Sequence, residues 1–339
     1  MRQISNPPNP YDSYSAEFIG KPPPTKLEIY EEYATSSMIT KSYASNKHGY
    51  RLVANCYRGC VHGCTYCFAR RYHEFLGYGA GTDFDTKLVA KMNAPEVLRT
   101  DLKKTRVKIH TLEFSFTTDP YLPIEASFCL TKKCLEVCAE FRVNVQVITK
   151  APLVTRDLHL LKKLNATVFF SIPFLTKESS NPFEPYAPVP EARFRAMQKL
   201  ANEGVKVGIA LAPIILGYND SEIPALLKRA KECGASLCFM SNLHIDSDSI
   251  ENYFRKNLEE KLPTKSEKII NHIRREKDGN IQHRNYQERI AGKTERWKIA
   301  REVFELYRRK YGFEDVFDES KTADKNSLKP TLPIQPKLF

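Results

Sequence analysis

From residue 107 to residue 243 the chain repeats one alternation. Short apolar runs rich in Val, Ile and Phe are separated by stretches with helical spacing. The runs are Val107–Phe116, Val143–Thr149, Ala166–Phe174, Val205–Ile215 and Ala235–Leu243. Strands this continuously apolar need cover on both faces, which a parallel sheet flanked by helices provides. Right-handed crossovers then leave two architectures, an open doubly wound sheet or a barrel. No G-x-G-x-x-G follows an early strand, which weakens the dinucleotide-binding form. Between the strands, Thr131 is expected to cap a helix carrying Leu135 and Ala139, and Thr155 one carrying Leu158, Leu161 and Leu164. Pro190 opens a third helix that Gly204 ends, and Asp220 caps a fourth that Gly234 ends.

The flanks differ in kind. Residues 1–26 are rich in proline and poor in core residues, which predicts a disordered arm. The α/β unit is expected over 27–254, a basic helical appendage over 255–317 and a flexible tail over 318–339. Lys and Arg number 52 against 40 Asp and Glu, a net charge of +12. Arg255–Tyr311 holds 17 basic and 9 acidic residues, so most of that excess sits there and suggests a polyanionic partner such as nucleic acid. In the same segment Trp297, Ala300, Phe304, Tyr307 and Tyr311 step by three or four, one face of an amphipathic helix. No run reaches the roughly 18 to 20 apolar residues that span a bilayer. The first residues lack the apolar core of a secretory signal, so a cytoplasmic location is expected.

Nine cysteines without an export signal make a disulfide framework improbable. Three of them, Cys60, Cys64 and Cys67, form C-x₃-C-x₂-C, with Gly59 and Gly63 letting the backbone curl. Three thiolates from one loop suit an iron–sulfur cluster. A four-iron cluster so held keeps one iron open for a further ligand. A structural zinc site needs four ligands, and no second cysteine pair is evident. Cys56 or His62 could be a fourth ligand, though each is awkwardly placed. A redox pair at Cys64 and Cys67 leaves Cys60 unexplained.

C-x₃-C-x-aromatic-C resembles the signature of the radical S-adenosylmethionine superfamily. The wider stretch from Tyr57-Arg58-Gly59 to Ala69-Arg70 resembles its spore photoproduct lyase-like branch. The resemblance implies a partial (β/α)₆ TIM-like barrel and a 4Fe-4S cluster on Cys60, Cys64 and Cys67, with S-adenosylmethionine chelated at the open iron. It implies reductive cleavage to methionine and a 5′-deoxyadenosyl radical, with electrons from a donor such as flavodoxin or ferredoxin. Tyr66 matches the aromatic position beside the adenine. Thr118, Asp119, Lys150 and Ser171, at three successive strand ends, match the positions that hold the cofactor. That placement suits Lys150 to a carboxylate, and the hydroxyls and Asp119 to ribose or amino hydrogens. One departure stands out: where the resembling lyase has a hydrogen-donating cysteine just before the hydroxyl–acid pair, this chain has Phe116. The thymine-dimer reaction as such is therefore not expected.

Cys129, Cys134 and Cys138 straddle a helix start and offer a second cluster, but these three, with Cys233 and Cys238, are expected to act as small hydrophobes. The chain ends Gln335-Pro336-Lys337-Leu338-Phe339, which resembles the peptide by which bacterial polymerases and repair enzymes dock on the sliding clamp. Two apolar anchors, Leu338 and Phe339, with a hydrogen-bonding Gln335 suit a groove. The leading expectation is a radical enzyme acting on DNA, in repair or modification. Rivals are the same chemistry on a protein or small molecule, and a non-enzymatic metal-binding clamp adaptor.

Overall fold

The computed structural model describes residues 26–42, 51–105, 109, 111–282 and 292–314. All of the expected arm except Lys26 lies outside them, as does the tail with Gln335, Leu338 and Phe339. The strands are β1 (Glu28–Glu32), β2 (Ile39–Ser42), β3 (Arg51–Ala54), β4 (Tyr57–Arg58) and β5 (Lys87–Lys91). They continue with β6 (Thr111–Phe114), β7 (Asn144–Thr149), β8 (Thr167–Ser171), β9 (Lys206–Ile214) and β10 (Leu237–Asn242). The longer helices are α1 (Ala94–Lys104), α2 (Leu130–Glu140), α3 (Leu158–Lys163), α4 (Pro190–Asn202) and α5 (Ile223–Glu232). After the sheet come α6 (Asp248–Lys261), α7 (Ser266–Glu276) and α8 (Glu295–Lys310).

Seven strands form one sheet in the order β10-β9-β8-β7-β6-β3-β2. Six of them, β3 and β6 to β10, run parallel and lie side by side in chain order, with helices in the crossovers; β2 is antiparallel on β3. This is the expected partial (β/α)₆ TIM-like barrel. Register aligns Ala54, Phe114, Val147, Val168 and Val207 in one row across the sheet, each almost wholly removed from water. That row is why the strands read as continuous apolar runs.

A second sheet, β1-β5-β4, draws β4 and β5 from the crossover between β3 and β6 and β1 from ahead of the main sheet. It pins the chain just ahead of the cysteine loop. Tyr57 is fully buried there and donates its hydroxyl to Glu125.

Three expected helix caps are corrected. Thr131 lies inside α2 rather than at its end; its hydroxyl donates to Pro120 O at 2.6 Å. The cap position is Cys129 in the left-handed conformation, and the Glu125 carboxylate accepts from Thr131 N and Lys132 N at 2.9 and 3.1 Å. A carboxylate at a helix N-terminus also meets the positive end of the helix dipole. Thr155 falls in a 3-10 turn over Pro152–Asp157 and caps nothing. Asp220 starts a 3-10 turn ahead of α5, accepting from Gly217 N at 3.0 Å. Pro190 does open α4. Among the described residues, the apolar run expected over Val107–Phe116 is a strand over Thr111–Phe114.

The boundary expected at 254 falls inside α6, so the basic segment is continuous with the barrel's last helix. α8 packs on α5 and sends Trp297, Ala300 and Phe304 into the main core, as the stepped aromatics predict. α6 and α7 share a smaller core with Cys64, Tyr66, Phe174 and Phe183. They therefore brace the cysteine loop from below. Several basic residues of this segment are paired with acids, among them Arg255 with Glu251, Arg296 with Asp220 and Arg308 with Glu305. No helix of the described residues is long and apolar enough to cross a membrane.

Candidate metal and cofactor site

The cysteine loop leaves β4 at the end of the barrel where β3 and β6 to β10 finish, the end at which parallel α/β folds bind ligands. Gly59 and Gly63 have φ of +75° and +65°, which ordinary side chains rarely adopt. A Cβ on Gly59 would meet Lys87 O at 2.9 Å, and one on Gly63 would meet the Tyr186 ring at 2.6 Å. The loop is stitched at both sides: Cys60 N donates to Phe84 O at 2.9 Å and Thr65 N to Phe183 O at 2.9 Å.

Arg70 locks the far end of the loop. Its guanidinium is fully buried and donates to Cys64 O (2.9 Å), Ala80 O (3.0 Å), Gly81 O (2.8 Å) and Asp85 Oδ1 (2.8 Å). The Tyr253 ring of α6 covers it at 4.2 Å, and Tyr253 also donates to Asp85 at 3.2 Å. A planar fork with five donors suits four separate acceptors in a way no ammonium can.

The three thiols lie close enough to influence one another's charge. Burial pushes Cys60 well up and Cys64 up to about 12; Cys67 is also raised by burial, while Arg70 pulls it down. As bare thiols they are neutral; a bound metal would deprotonate them outright. Among the described residues no three His, Cys, Asp or Glu side chains close on one point as a single ion requires. One zinc ion draws its sulfurs to about 2.3 Å. A cluster in which each thiolate meets a different iron accepts wider spacing, and three soft sulfurs on one loop suit it. Three soft thiolates on one loop are a donor set that fits a cluster. Cys56 sits apart from the triplet, its sulfur 3.5 Å from that of Cys134. His62 is buried and faces Asp119 at 3.7 Å; burial pushes it down to about 4 against the pull of that carboxylate.

The other expected cofactor residues converge beside the loop but play unequal parts. Thr118 donates to Gly59 O at 2.6 Å, so its hydroxyl supports the loop. Asp119 is engaged by the protein: Thr149 Oγ1 (2.6 Å), Tyr121 N (2.8 Å) and Lys150 N (2.8 Å) all donate to it. Asp119 thus ties the ends of β6 and β7 together. Ser171 makes only a long contact, donating to Ala212 O at 3.5 Å. Lys150 reaches over the loop, its ammonium 5.8 Å from the Tyr66 ring centre. Burial works against that charge, but Cys64 once ionised and Glu184 outweigh it and hold Lys150 above its usual value.

Two residues that no sequence motif marks, Glu184 and Arg193, organise this group. Glu184, with its side chain wholly buried, accepts from the Tyr66 hydroxyl and from Arg193 Nη2 at 2.5 Å. Arg193, equally buried on α4, also donates to Ser171 O at 2.8 Å and Pro188 O at 2.6 Å. Burial pulls Glu184 toward neutrality, yet Arg193 and Lys150 prevail and hold it below the usual carboxylate value. Burial and Glu184 hold the Tyr66 phenol well above its ordinary value, so it stays a neutral donor. Glu184 stands 118 residues from Tyr66, and no local spacing announces such a pair.

At the mouth of the barrel Phe116 is 39% exposed and holds a φ of +96°. Its ring meets Phe68 edge-on at 5.2 Å, and His244 stacks on Phe68 at 5.4 Å.

The model of the radical SAM superfamily matches residues 54–230, from the end of β3 through most of α5. An uncharacterised protein of Mycobacterium tuberculosis (strain H37Rv) is 30% identical over 222 residues, 64% of this chain and 65% of that protein. An uncharacterised protein of Methanocaldococcus jannaschii is 32% identical over 175 residues, 51% of this chain and 64% of its own. The chain thus spans somewhat under two thirds of the length of these relatives. Among solved structures, a spore photoproduct lyase mutant with bound AdoMet and dinucleoside spore photoproduct is similar, with a TM-score of 0.55 and 15% identity, covering 84% of this chain and 80% of that one. Spore photoproduct lyase complexed with the dinucleoside alone gives the same TM-score at 14% identity and the same coverage. At such identity the likeness is one of fold.

Proposed function

We propose, for a chain that belongs to the radical SAM superfamily, that Cys60, Cys64 and Cys67 hold its 4Fe-4S cluster and that S-adenosylmethionine lies between that cluster and Lys150. The family's cofactors are these two, and the chain is a radical SAM enzyme. When bound, they supply one electron and a sulfonium whose cleavage gives methionine and a 5′-deoxyadenosyl radical. The observation that carries the assignment is the thiol triplet on a glycine-turned loop, directly beside the Lys150–Glu184–Tyr66 group.

The chain's own residues then have distinct tasks. Lys150 offers an ammonium to the methionyl carboxylate, since Glu184 spends its own bonds on Tyr66 and Arg193. Tyr66, fixed by Glu184, presents a ring face of fixed orientation toward the adenine. Thr118 and Asp119 hold the loop and the β7 end in register, and Ser171 keeps a hydroxyl near the same space. Arg70 fixes the carbonyl of Cys64 and so the direction of its thiolate.

For substrate, we favour nucleic acid, DNA under repair or modification, with the basic segment over 255–311 meeting phosphates and the C-terminal peptide meeting a sliding clamp. The charge balance of that segment supports this, as does the kind of ligand named for the similar lyase structures. The pairing of Arg255, Arg296 and Arg308 with acids favours a second reading, the same radical chemistry on a protein or small molecule. The electron donor is of the flavodoxin or ferredoxin kind, and the setting cytoplasmic. Anaerobic reconstitution with iron and sulfide, reduction and assay of 5′-deoxyadenosine tests the first part. Titration with duplex and single-stranded DNA at several salt concentrations tests the second, since phosphate contacts give a steep salt slope.

A further inference from the structure

Phe116, Phe68 and His244 come from three places that the topology brings to one spot. Phe116 follows β6, Phe68 follows the last cysteine of the loop, and His244 follows β10. Strands β3 and β10 lie far apart in the sheet order, so Phe68 and His244 meet across the open side of the barrel. Arg71 bridges to Asp246 at 2.9 Å just beside them, fixing the two edges at that distance.

Phe116 is the unusual member. A non-glycine residue at a φ of +96° is strained, and a bulky one is a genuine outlier. Hydrogen bonds just after it hold the chain there: Thr117 N donates to Asn55 Oδ1 at 3.3 Å and Thr118 Oγ1 to Gly59 O at 2.6 Å. The strain does not bury the ring: Phe116 remains 39% exposed and turned edge-on to Phe68. A strained backbone that holds a large apolar ring in water, next to the radical-generating loop, gains nothing for the core.

We propose that Phe116, backed by Phe68 and His244, is a stacking platform for an unpaired nucleobase of the substrate, presented to the radical at the barrel mouth. The inference rests on the nucleic-acid reading above and narrows it to a base taken out of its stack. Any base has a π-face, and stacking on an aromatic ring is tolerant of sequence. The platform's half-exposed rings offer apolar area on one side and lie beside the cofactor space on the other. An aromatic peptide side chain is the competing occupant, and the experiment separates the two.

The probe is a single-stranded DNA dodecamer carrying one central 2-aminopurine, titrated anaerobically with the full-length, cluster-loaded protein. The wild type should quench the 2-aminopurine fluorescence and bind with a measurable salt slope. Phe116→Leu and Phe116→Gly should each weaken binding about 5- to 100-fold, the worth of one base–aromatic stack, with the salt slope unchanged. Phe116→Trp should retain quenching. Phe116→Gly should also melt no lower than the wild type, because glycine accepts the positive φ without strain. If the dodecamer binds the wild type and both ring-deleting variants equally, the platform is refuted while the nucleic-acid reading stands. If the wild type does not bind the dodecamer at low salt, both fail, and a peptide or small-molecule occupant takes their place.

Discussion

Lys150 Nζ and Glu184 Oε1 stand 3.7 Å apart, near enough to share charge and too far for a hydrogen bond. Glu184 meanwhile binds Tyr66 and Arg193 at short range. The arrangement keeps the ammonium charged in a buried place without consuming it. Lys150→Ala should therefore load its cluster normally but bind S-adenosylmethionine more weakly by about 1.5–3 kcal/mol, the worth of a charge-assisted hydrogen bond. Equilibrium dialysis of the reconstituted protein reads this directly, and unchanged affinity would move the cofactor carboxylate elsewhere.

Glu184→Gln leaves Arg193 buried with its charge unmatched. Breaking such a pair from one side costs about 3–5 kcal/mol of folding stability. Urea unfolding of the apoprotein measures the loss. The double variant Glu184→Gln, Arg193→Met should recover part of it, because the orphaned charge is gone too; a double variant as unstable as the sum of the singles would contradict the coupling.

Any one of Cys60→Ala, Cys64→Ala and Cys67→Ala should abolish cluster absorbance and iron loading, whereas Cys56→Ala should retain both. Cys56 points to Cys134 behind the sheet, 3.5 Å away, rather than to the loop. Full iron content in a triplet variant would defeat the assignment.

Arg70→Lys keeps the charge and loses the fork that reaches Cys64 O, Ala80 O, Gly81 O and Asp85. Three buried carbonyls left short of donors cost about 1–3 kcal/mol each before relaxation. The variant should fall in stability by more than about 3 kcal/mol, and iron analysis after reconstitution should show partial loading. A variant as stable and as iron-rich as the wild type would assign Arg70 no such role.

His73 supplies a pH signature away from the cysteines. Its ring is buried between Tyr78 and Phe84, at 5.1 and 5.5 Å, and burial pushes it down to about 4. In the unfolded chain it titrates near 6.5. Between those values the unfolded state binds the extra proton, so stability falls as pH drops from about 6.5 toward 4. His73→Phe should lose about 1–2 kcal/mol less than the wild type between pH 7.5 and 5 in urea unfolding. Parallel pH profiles would show that the wild-type imidazole titrates as it does in water.

The barrel and the cysteine loop were legible because their signals are local. Apolar runs of strand length mark β6 to β10, and C-x₃-C-x₂-C marks the loop within eight residues. What escaped reading is held by distant partners. Thr131 has the chemistry of a cap, yet Glu125 does the capping, because a short helix ahead of α2 delivers its carboxylate there. Glu184 lies between Phe183 and Pro185 in a loop with no pattern, and only the fold brings it to Tyr66. Asp119, expected at the cofactor, also braces Thr149, Lys150 and Tyr121 with its oxygens. A polar residue at a strand end can serve the scaffold or the ligand, and sequence does not distinguish them.

Strands β10 and β2 stand at opposite ends of the seven-stranded sheet. A closed barrel has its bore dictated by strand number and shear. Here the aperture is spanned instead by side chains, Phe68 against His244 and Arg71 against Asp246. Its width is therefore a matter of a few substitutions rather than of backbone redesign. Such a half-open frame can be refitted to larger or smaller guests from the β10 side, at His244 and Asp246, away from the cysteine loop that carries Phe68 and Arg71.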